Sequence, residues 1–519
     1  MRFARNLLFW IGGIGLAGAL AWPQAPPSSA FKPPFSSPFV PPLALVGGTV
    51  VDVKDWGHSA KDLPDAVVII RDGRITEVGS RNEISIPKGA RVIECTGKYL
   101  IPGLVDGYAG MNSQGQANAF LYMGVTTVVA RNDDEHGRIY FGASPGPHLY
   151  PIDSIGATDD WSLLVNHRPG RTTPRPGLRS GGQAGEPNWS VKLHEGNRQA
   201  ELSPDDTARQ LIDTARLGTH VLWLGHNLTA ANTQWIIARA HQLGLVTYGE
   251  FVSTPYKVGV ESGVDVLLHM GRYELGVIPD ELQKPLVGNS EGSAADTAYD
   301  YSERLPATDL HLRTYSRLLA SHHAALMPTF SLHFLELPGH RNLWKEPAAV
   351  LLDPANLFQP PDRTTGELVY PLPTWARRLP AAGQRYFQEN QRKKAQQSAL
   401  RLWHINQTIF AAFPHYLAAS GAPAQGTMPG ISMHTELELL VRLGLSPREA
   451  LAAATNNYAL QFGWNELGQI APGRRADVLI VDGDPANNIW NARRISTLIV
   501  DGNVMDREGL LNLRGSAPR

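Results

Sequence analysis

The side chains best suited to chemistry in this chain are His226, Glu250, His269 and His333, together with the run Asp133-Asp134-Glu135-His136. Two neutral imidazoles and a carboxylate form a donor set for one divalent metal. Such a metal lowers the pKa of a bound water from about 15.7 to about 7. His226, Glu250 and His269 are therefore the candidate ligands of a single-metal site. Each also has a structural reading, because acidic runs in loops are commonly solvated and lone histidines commonly serve hydrogen bonds. Gly288-Asn289-Ser290-Glu291-Gly292 matches Gly-x-Ser-x-Gly. A nucleophile elbow needs a strand before it and a helix after it. The flanks here, Gln283-Lys284-Pro285 and a small polar run, describe a loop instead. Cys95 is the single cysteine, so no internal disulfide is available, and its β-like surroundings predict a packed thiol.

These residues fall at or just after short strand-like runs. Val125 to Ala130, His220 to Leu224, Leu245 to Tyr248, Val264 to His269 and Ala325 to Phe330 are apolar or β-branched. Helical patterns lie between them, such as Ser203 to Leu217 and Thr229 to Leu243. This alternation predicts a parallel sheet, and about 360 residues suit a (β/α)8 TIM-like barrel with insertions. β-like runs at Leu43 to Val53, Ala66 to Arg71, Arg74 to Val78 and Arg91 to Glu94 precede it. Others at Gly468 to Ala471, Asp477 to Val481 and Ile495 to Val500 follow it. Together they predict a small β-sandwich built from both chain ends. Irregular, Pro-rich stretches near 273–308 and 338–380 read as insertions, either lids or packing arms, the second leading into a polar helix from Ala381 to Gln397. There is no internal repeat and no coiled-coil heptad.

The chain has 519 residues, 43% hydrophobic and 18% charged, which describes a globular protein with a sizeable core. Its formal net charge of -1 supplies no electrostatic case for nucleic acid. Arg2 and Arg5 precede an uncharged run from Leu7 to Trp22, and Ala19-Leu20-Ala21 gives a small-x-small pattern. This has the form of a secretory signal peptide, with an uncleaved membrane anchor as the alternative. A Pro/Ser-rich tether follows, to Pro42.

The segment Pro102-Gly103-Leu104-Val105-Asp106-Gly107-Tyr108-Ala109-Gly110 resembles the start of the barrel in metal-dependent amidohydrolases, the imidazolonepropionase-like branch above all. Similar resemblances run through Val68 to Gly79, Gly124 to Val128, Met327-Pro328-Thr329, Gly430 to Asn457 and Gly468 to Pro485. The resemblance implies hydrolysis of amide, lactam or peptide-like bonds by one or two metals at the C-terminal mouth of the barrel. It also implies where the ligands would stand. The paired histidines of strand 1 fall on Tyr108 and Gly110, and the strand 4 lysine on Trp223. The strand 5 histidine falls on Gly249, the strand 6 histidine on His269 and the strand 8 aspartate on Gly421. Only His269 keeps its ligand type. With Gly249 facing the bore, alternation along a strand would turn Glu250 away from it.

The resulting expectation is an exported amidohydrolase-fold protein that has lost the metal-dependent site and acts as a binding or scaffolding pseudoenzyme. The alternative is an active hydrolase of C–N bonds with a rebuilt or single-metal site around His269. Tyr108, Trp223, Glu250 and His269 are the candidate mouth residues, the two aromatic rings lining a pocket or plugging it. No cofactor is expected, with zinc or another divalent metal entering only through His226, Glu250 and His269. The partner is an unknown small molecule or protein, no nucleic acid, and a membrane only through an uncleaved N-terminal segment. The predicted divisions are 1–21 signal peptide, 22–42 tether, 43–105 and 466–512 β-sandwich, and 106–465 barrel with insertions about 273–308 and 338–397.

Overall fold

A computed structural model describes residues 41–131, 139–155, 191–194, 197–202, 204–216, 219–226, 228–286, 297–298, 300–301, 304–306, 308–412 and 414–512. The predicted signal peptide, nearly all of the tether, Asp133 to His136 and Gly288 to Gly292 lie outside the described residues.

Strands β1 (Leu43–Val50), β2 (Leu63–Arg71), β3 (Arg74–Ser80), β4 (Arg91–Glu94) and β5 (Tyr99–Pro102) come from the N-terminal side. With β15 (Val478–Val481), β16 (Ile495–Val500) and β17 (Asn503–Val504) they form one 8-stranded mixed sheet, ordered β17-β16-β15-β5-β1-β2-β3, with β4 beside β1. The two chain ends meet where β15 pairs antiparallel with β5, Val478 opposite Pro102. The sheet curls on itself: Ile75 N donates to Arg474 O at 3.0 Å, bringing the β3 edge to the segment before β15. It therefore encloses its own core of Leu45, Val68, Ile75, Leu100, Val478 and Ile499. Cys95 is buried in that core, and burial pushes its thiol pKa up, as the packed reading requires. Residues 468–471 form bends rather than the predicted strand, although Ile470 still packs into the same core.

The barrel strands are β6 (Leu104–Ala109), β7 (Val125–Ala130), β8 (His148–Ile155), β11 (Val221–Leu224), β12 (Val246–Gly249), β13 (Val266–Leu268) and β14 (Ala325–Met327). Strands β9 (Val191–His194) and β10 (Asn197–Leu202) pair as a separate antiparallel hairpin. The seven barrel strands pair in sequence order, all parallel. The extended segment 415–421 occupies the eighth position. Leu417 N donates to Leu326 O at 2.9 Å on the β14 side, and Gly421 N donates to Tyr108 O at 2.9 Å on the β6 side. Fully apolar runs such as Val-Leu-Trp-Leu in β11 are buried on both faces, as a sheet covered by helices demands. One face fills the bore with Val105, Val129, Val221, Val246, Val266 and Ala325. The other packs on helices such as Ala230–Gln242, which Thr229 caps by accepting from Asn232 N at 3.0 Å.

The insertion before the eighth position is built from short 3-10 turns, among them Leu343–Lys345 and Pro347–Leu351. Its helix runs from Ala381 to Phe410, well past the predicted Gln397. The C-terminal part persists because Ala399, Leu402, Trp403, Ile405 and Ile409 bury one face against the barrel layer. No helix of the described residues is long and apolar enough to cross a membrane.

Candidate functional site at the barrel mouth

Glu250 follows β12 directly and is buried. Its parity is the reverse of the one predicted. Val246 and Tyr248 pack into the bore with Trp223, so the next residue of that parity is Glu250. A Cβ on Gly249 would instead meet Phe251 and Val264 on the outer side. The expectation that Glu250 turns away rested on Gly249 facing inward, and the packing of Val246 and Tyr248 sets the opposite pleat.

The Glu250 carboxylate gathers the other groups. His226 Nε2 lies 2.9 Å from Oε1, and Arg272 Nε donates to the same oxygen at 3.1 Å. Trp223 Nε1 donates to Oε2 at 3.1 Å, and His269 Nε2 stands 3.9 Å from Oε2. Burial by itself would raise the carboxyl pKa, but His226, His269 and Arg272 beside it hold it well below the usual carboxylate range. Arg131, also buried, stacks its guanidinium 4.3 Å from the Trp223 ring centroid. Trp223 thus meets a cation on its face and an anion at its edge.

His269 and Thr329 stand at the ends of neighbouring strands β13 and β14, and both adopt left-handed backbone, φ 60° and 50°. Non-glycine residues in that region cost about 1–3 kcal/mol each, and such strain clusters at functional sites. The turn at His269 starts the short helix Met270–Tyr273 and so brings Arg272 back toward Glu250. His269 Nδ1 lies 2.7 Å from Thr329 Oγ1. The threonine hydroxyl already donates to Pro328 O at 2.7 Å, so it accepts from the imidazole. His269 is thus held at Nδ1 by Thr329 with Nε2 turned toward Glu250. Tyr108 meets the same ring edge-on, centroids 5.2 Å apart.

The structure thus brings His226, Glu250, His269, Trp223 and Tyr108 into one cluster. Tyr108 and Trp223 are buried, 4% and 5% exposed, and pack with the side chains that fill the bore. His333 is not among them; its Nδ1 pairs with Glu336 Oε2 at 2.8 Å. Arg272, Arg131 and Thr329 were not singled out in the sequence. The signal for Arg272 was its place three residues after His269, one helical turn on.

Among the described residues, the histidine–carboxylate group whose ligand atoms all lie within 4.8 Å of one another is His148, Asp477 and Asp501. It sits at the opposite end of the barrel, His148 opening β8. Arg475 Nε donates to Asp477 Oδ2 at 2.7 Å, and Asp501 N donates to Oδ1 at 2.9 Å. The Asp477 carboxylate is thus already neutralised, and the group ties the closing strands to the barrel.

Residues 412–505 match the amidohydrolase family. Over 91 residues the chain is 33% identical to an adenine deaminase of Paracoccus denitrificans, covering 17% of this chain and 15% of that one. Over 80 residues it is 38% identical to an imidazolonepropionase of Deinococcus deserti, covering 13% of this chain and 20% of that one. The chain therefore spans a fifth or less of the length of these curated relatives. The solved structure of a molinate hydrolase superposes with a TM-score of 0.54 at 17% identity, covering 92% of this chain and 98% of that one. That likeness speaks for the fold. The chain is thus similar to amidohydrolases in sequence over its C-terminal segment and in fold over its barrel and composite sheet.

Proposed function

We propose that this protein binds at its barrel mouth rather than hydrolysing there: an exported amidohydrolase-fold pseudoenzyme that serves as a binding or scaffolding subunit. One observation carries this reading. Both oxygens of Glu250 are already engaged, by His226, Arg272 and Trp223, and a divalent ion on that carboxylate would face the Arg272 guanidinium. The donor set does not fit a two-metal centre of the kind the family resemblance implies. Tyr108, Trp223 and Gly421 stand where it places ligands, and two of them are large buried rings. The partner in this reading is a small molecule or another protein. The basic-then-apolar N-terminal pattern from Arg2 to Trp22 supports export.

A second reading is favoured by the convergence of His226 and His269 on the Glu250 carboxylate. It is an active hydrolase of amide, lactam or dipeptide-like bonds with a rebuilt single-metal site. That site requires Arg272 to leave Glu250. Metal analysis of the purified protein, joined to a turnover assay on N-acyl amino acids, dipeptides and lactams, separates the two. Sub-stoichiometric metal and no turnover, with or without added zinc, is expected. Stoichiometric, tightly held zinc with chelator-sensitive turnover would establish the second reading.

A further inference from the structure

On the flank of the barrel, between helix Leu310–Ser321 and the C-terminal half of helix Ala381–Phe410, lies a groove of about 890 Å³. Small-molecule sites typically run from about 300 to 1,000 Å³. The groove shares no lining residue with the barrel mouth. Its lining includes the apolar Leu305 and Ala411 and the polar Arg313, Arg317, His404 and Gln407.

Among the described lining residues the formal charges are all positive. Arg313 and Arg317 are four residues apart, so they occupy one helix face and repel each other. Helix Leu310–Ser321 contains no carboxylate, and neither does the opposite wall from Ser398 to Phe410. Among the described residues neither arginine has an acidic partner; Arg317 reaches only Thr314 Oγ1, at 3.4 Å. On the facing helix, His404 Nδ1 lies 3.0 Å from Gln407 Oε1. With the imidazole donating, the Gln407 amide group remains a donor in the groove lining. Two guanidinium groups and an amide donor beside apolar lining complement one kind of ligand, a compact oxyanion on an apolar body.

We propose that this groove binds an amphiphilic oxyanion. Arg313 and Arg317 hold a carboxylate or phosphate monoester head, and the apolar body lies along Leu305 and Ala411. Isothermal titration calorimetry on the full chain tests it with three probes: octanoate, octyl phosphate and inorganic phosphate. At least one of the two amphiphiles is expected to bind at least tenfold more tightly than inorganic phosphate, and the tighter one identifies the head group. The double variant Arg313→Gln, Arg317→Gln is expected to weaken that binding at least tenfold, whereas Arg71→Gln, exposed on β2, leaves it unchanged. Both groove substitutions are at exposed helical positions and keep good helix formers, and an unchanged melting temperature verifies the fold. No heat with either amphiphile, equal affinity for inorganic phosphate, or undiminished binding by the double variant would each overturn the proposal.

Discussion

Arg272 Nε lies 3.1 Å from Glu250 Oε1, which places a guanidinium on the one carboxylate that gathers the barrel mouth. Glu250 is buried, so removing the fixed cation leaves an anion short of compensation. Losing one partner of a fully buried pair costs about 3–5 kcal/mol. Arg272 is partly exposed, and Arg272→Gln is expected to cost less, about 2–3 kcal/mol, in urea denaturation. The double variant Glu250→Gln, Arg272→Gln should recover part of that loss. If the two substitutions add without coupling, the ion pair does not hold the mouth together.

The same cluster sets a pH dependence. The folded pKa of Glu250 lies below its ordinary 4.5. A depressed carboxyl contributes stability that is present above the unfolded value and is lost as pH falls toward the folded one. Below about pH 4.5 the wild type should therefore lose stability faster than Glu250→Gln, by about 1.4 kcal/mol per pH unit. Parallel denaturation curves at pH 4.5 and 3.5 for the two proteins would contradict this.

Glu436 has the opposite sign. It is buried on helix Ile431–Leu443, where burial raises its pKa to about 8 although Ser331 N donates to Oε2 at 2.7 Å. A raised carboxyl contributes stability that is complete below the unfolded 4.5 and is lost as pH rises through the folded value. Relative to Glu436→Gln, the wild type should lose about 1.4 kcal/mol per pH unit between about pH 4.5 and pH 8. Melting temperatures of the pair across that window measure the slope, and a constant difference between them refutes it.

Gly107 on β6 has no room for a side chain. A Cβ there would collide with the Tyr458 hydroxyl and meet Met327 Cε at 2.7 Å. Tyr458 OH donates to Ala418 O at 2.5 Å in the closing segment, so the collision reaches the seam of the barrel. Gly107→Ala is expected to destabilise by about 1–3 kcal/mol, as overpacked cores do. Gly89→Ala has nothing within 4 Å of its Cβ and isolates the backbone contribution at positive φ.

If the mouth binds without metal, chelation should leave folding stability untouched. A ligand that binds only the folded state at 100 times its Kd adds about 2.7 kcal/mol. Dialysis against a chelator, followed by zinc addition, is expected to move the melting temperature by less than about 1 °C. A shift of several degrees on zinc addition, abolished in His226→Ala and His269→Ala, would instead favour the rebuilt metal site.

Much of the architecture was legible in the sequence because it follows from local pattern. Apolar runs such as Val125 to Ala130, separated by amphipathic helices, specify parallel strands. The β-like blocks at both ends predict a small β-sandwich built from both, and the structure gathers them into one curled mixed sheet. The nomination of His226, Glu250 and His269 rested on their positions just after such runs. What the sequence did not reveal depends on contacts between distant elements. The pleat at Glu250 is decided by Val246 and Tyr248 packing into the bore, not by its neighbour Gly249. The length of helix Ala381–Phe410 is decided by the face its last turns bury. The closing segment 415–421 becomes a barrel wall only because Leu326 and Tyr108 present hydrogen-bonding groups on either side of it. The sequence by itself thus determined most of the barrel strands, the helices between them and the nomination of His226, Glu250 and His269. Tertiary structure alone decided that Arg272 and Trp223 meet Glu250, because only left-handed backbone at His269 and a closed bore bring those strand ends together.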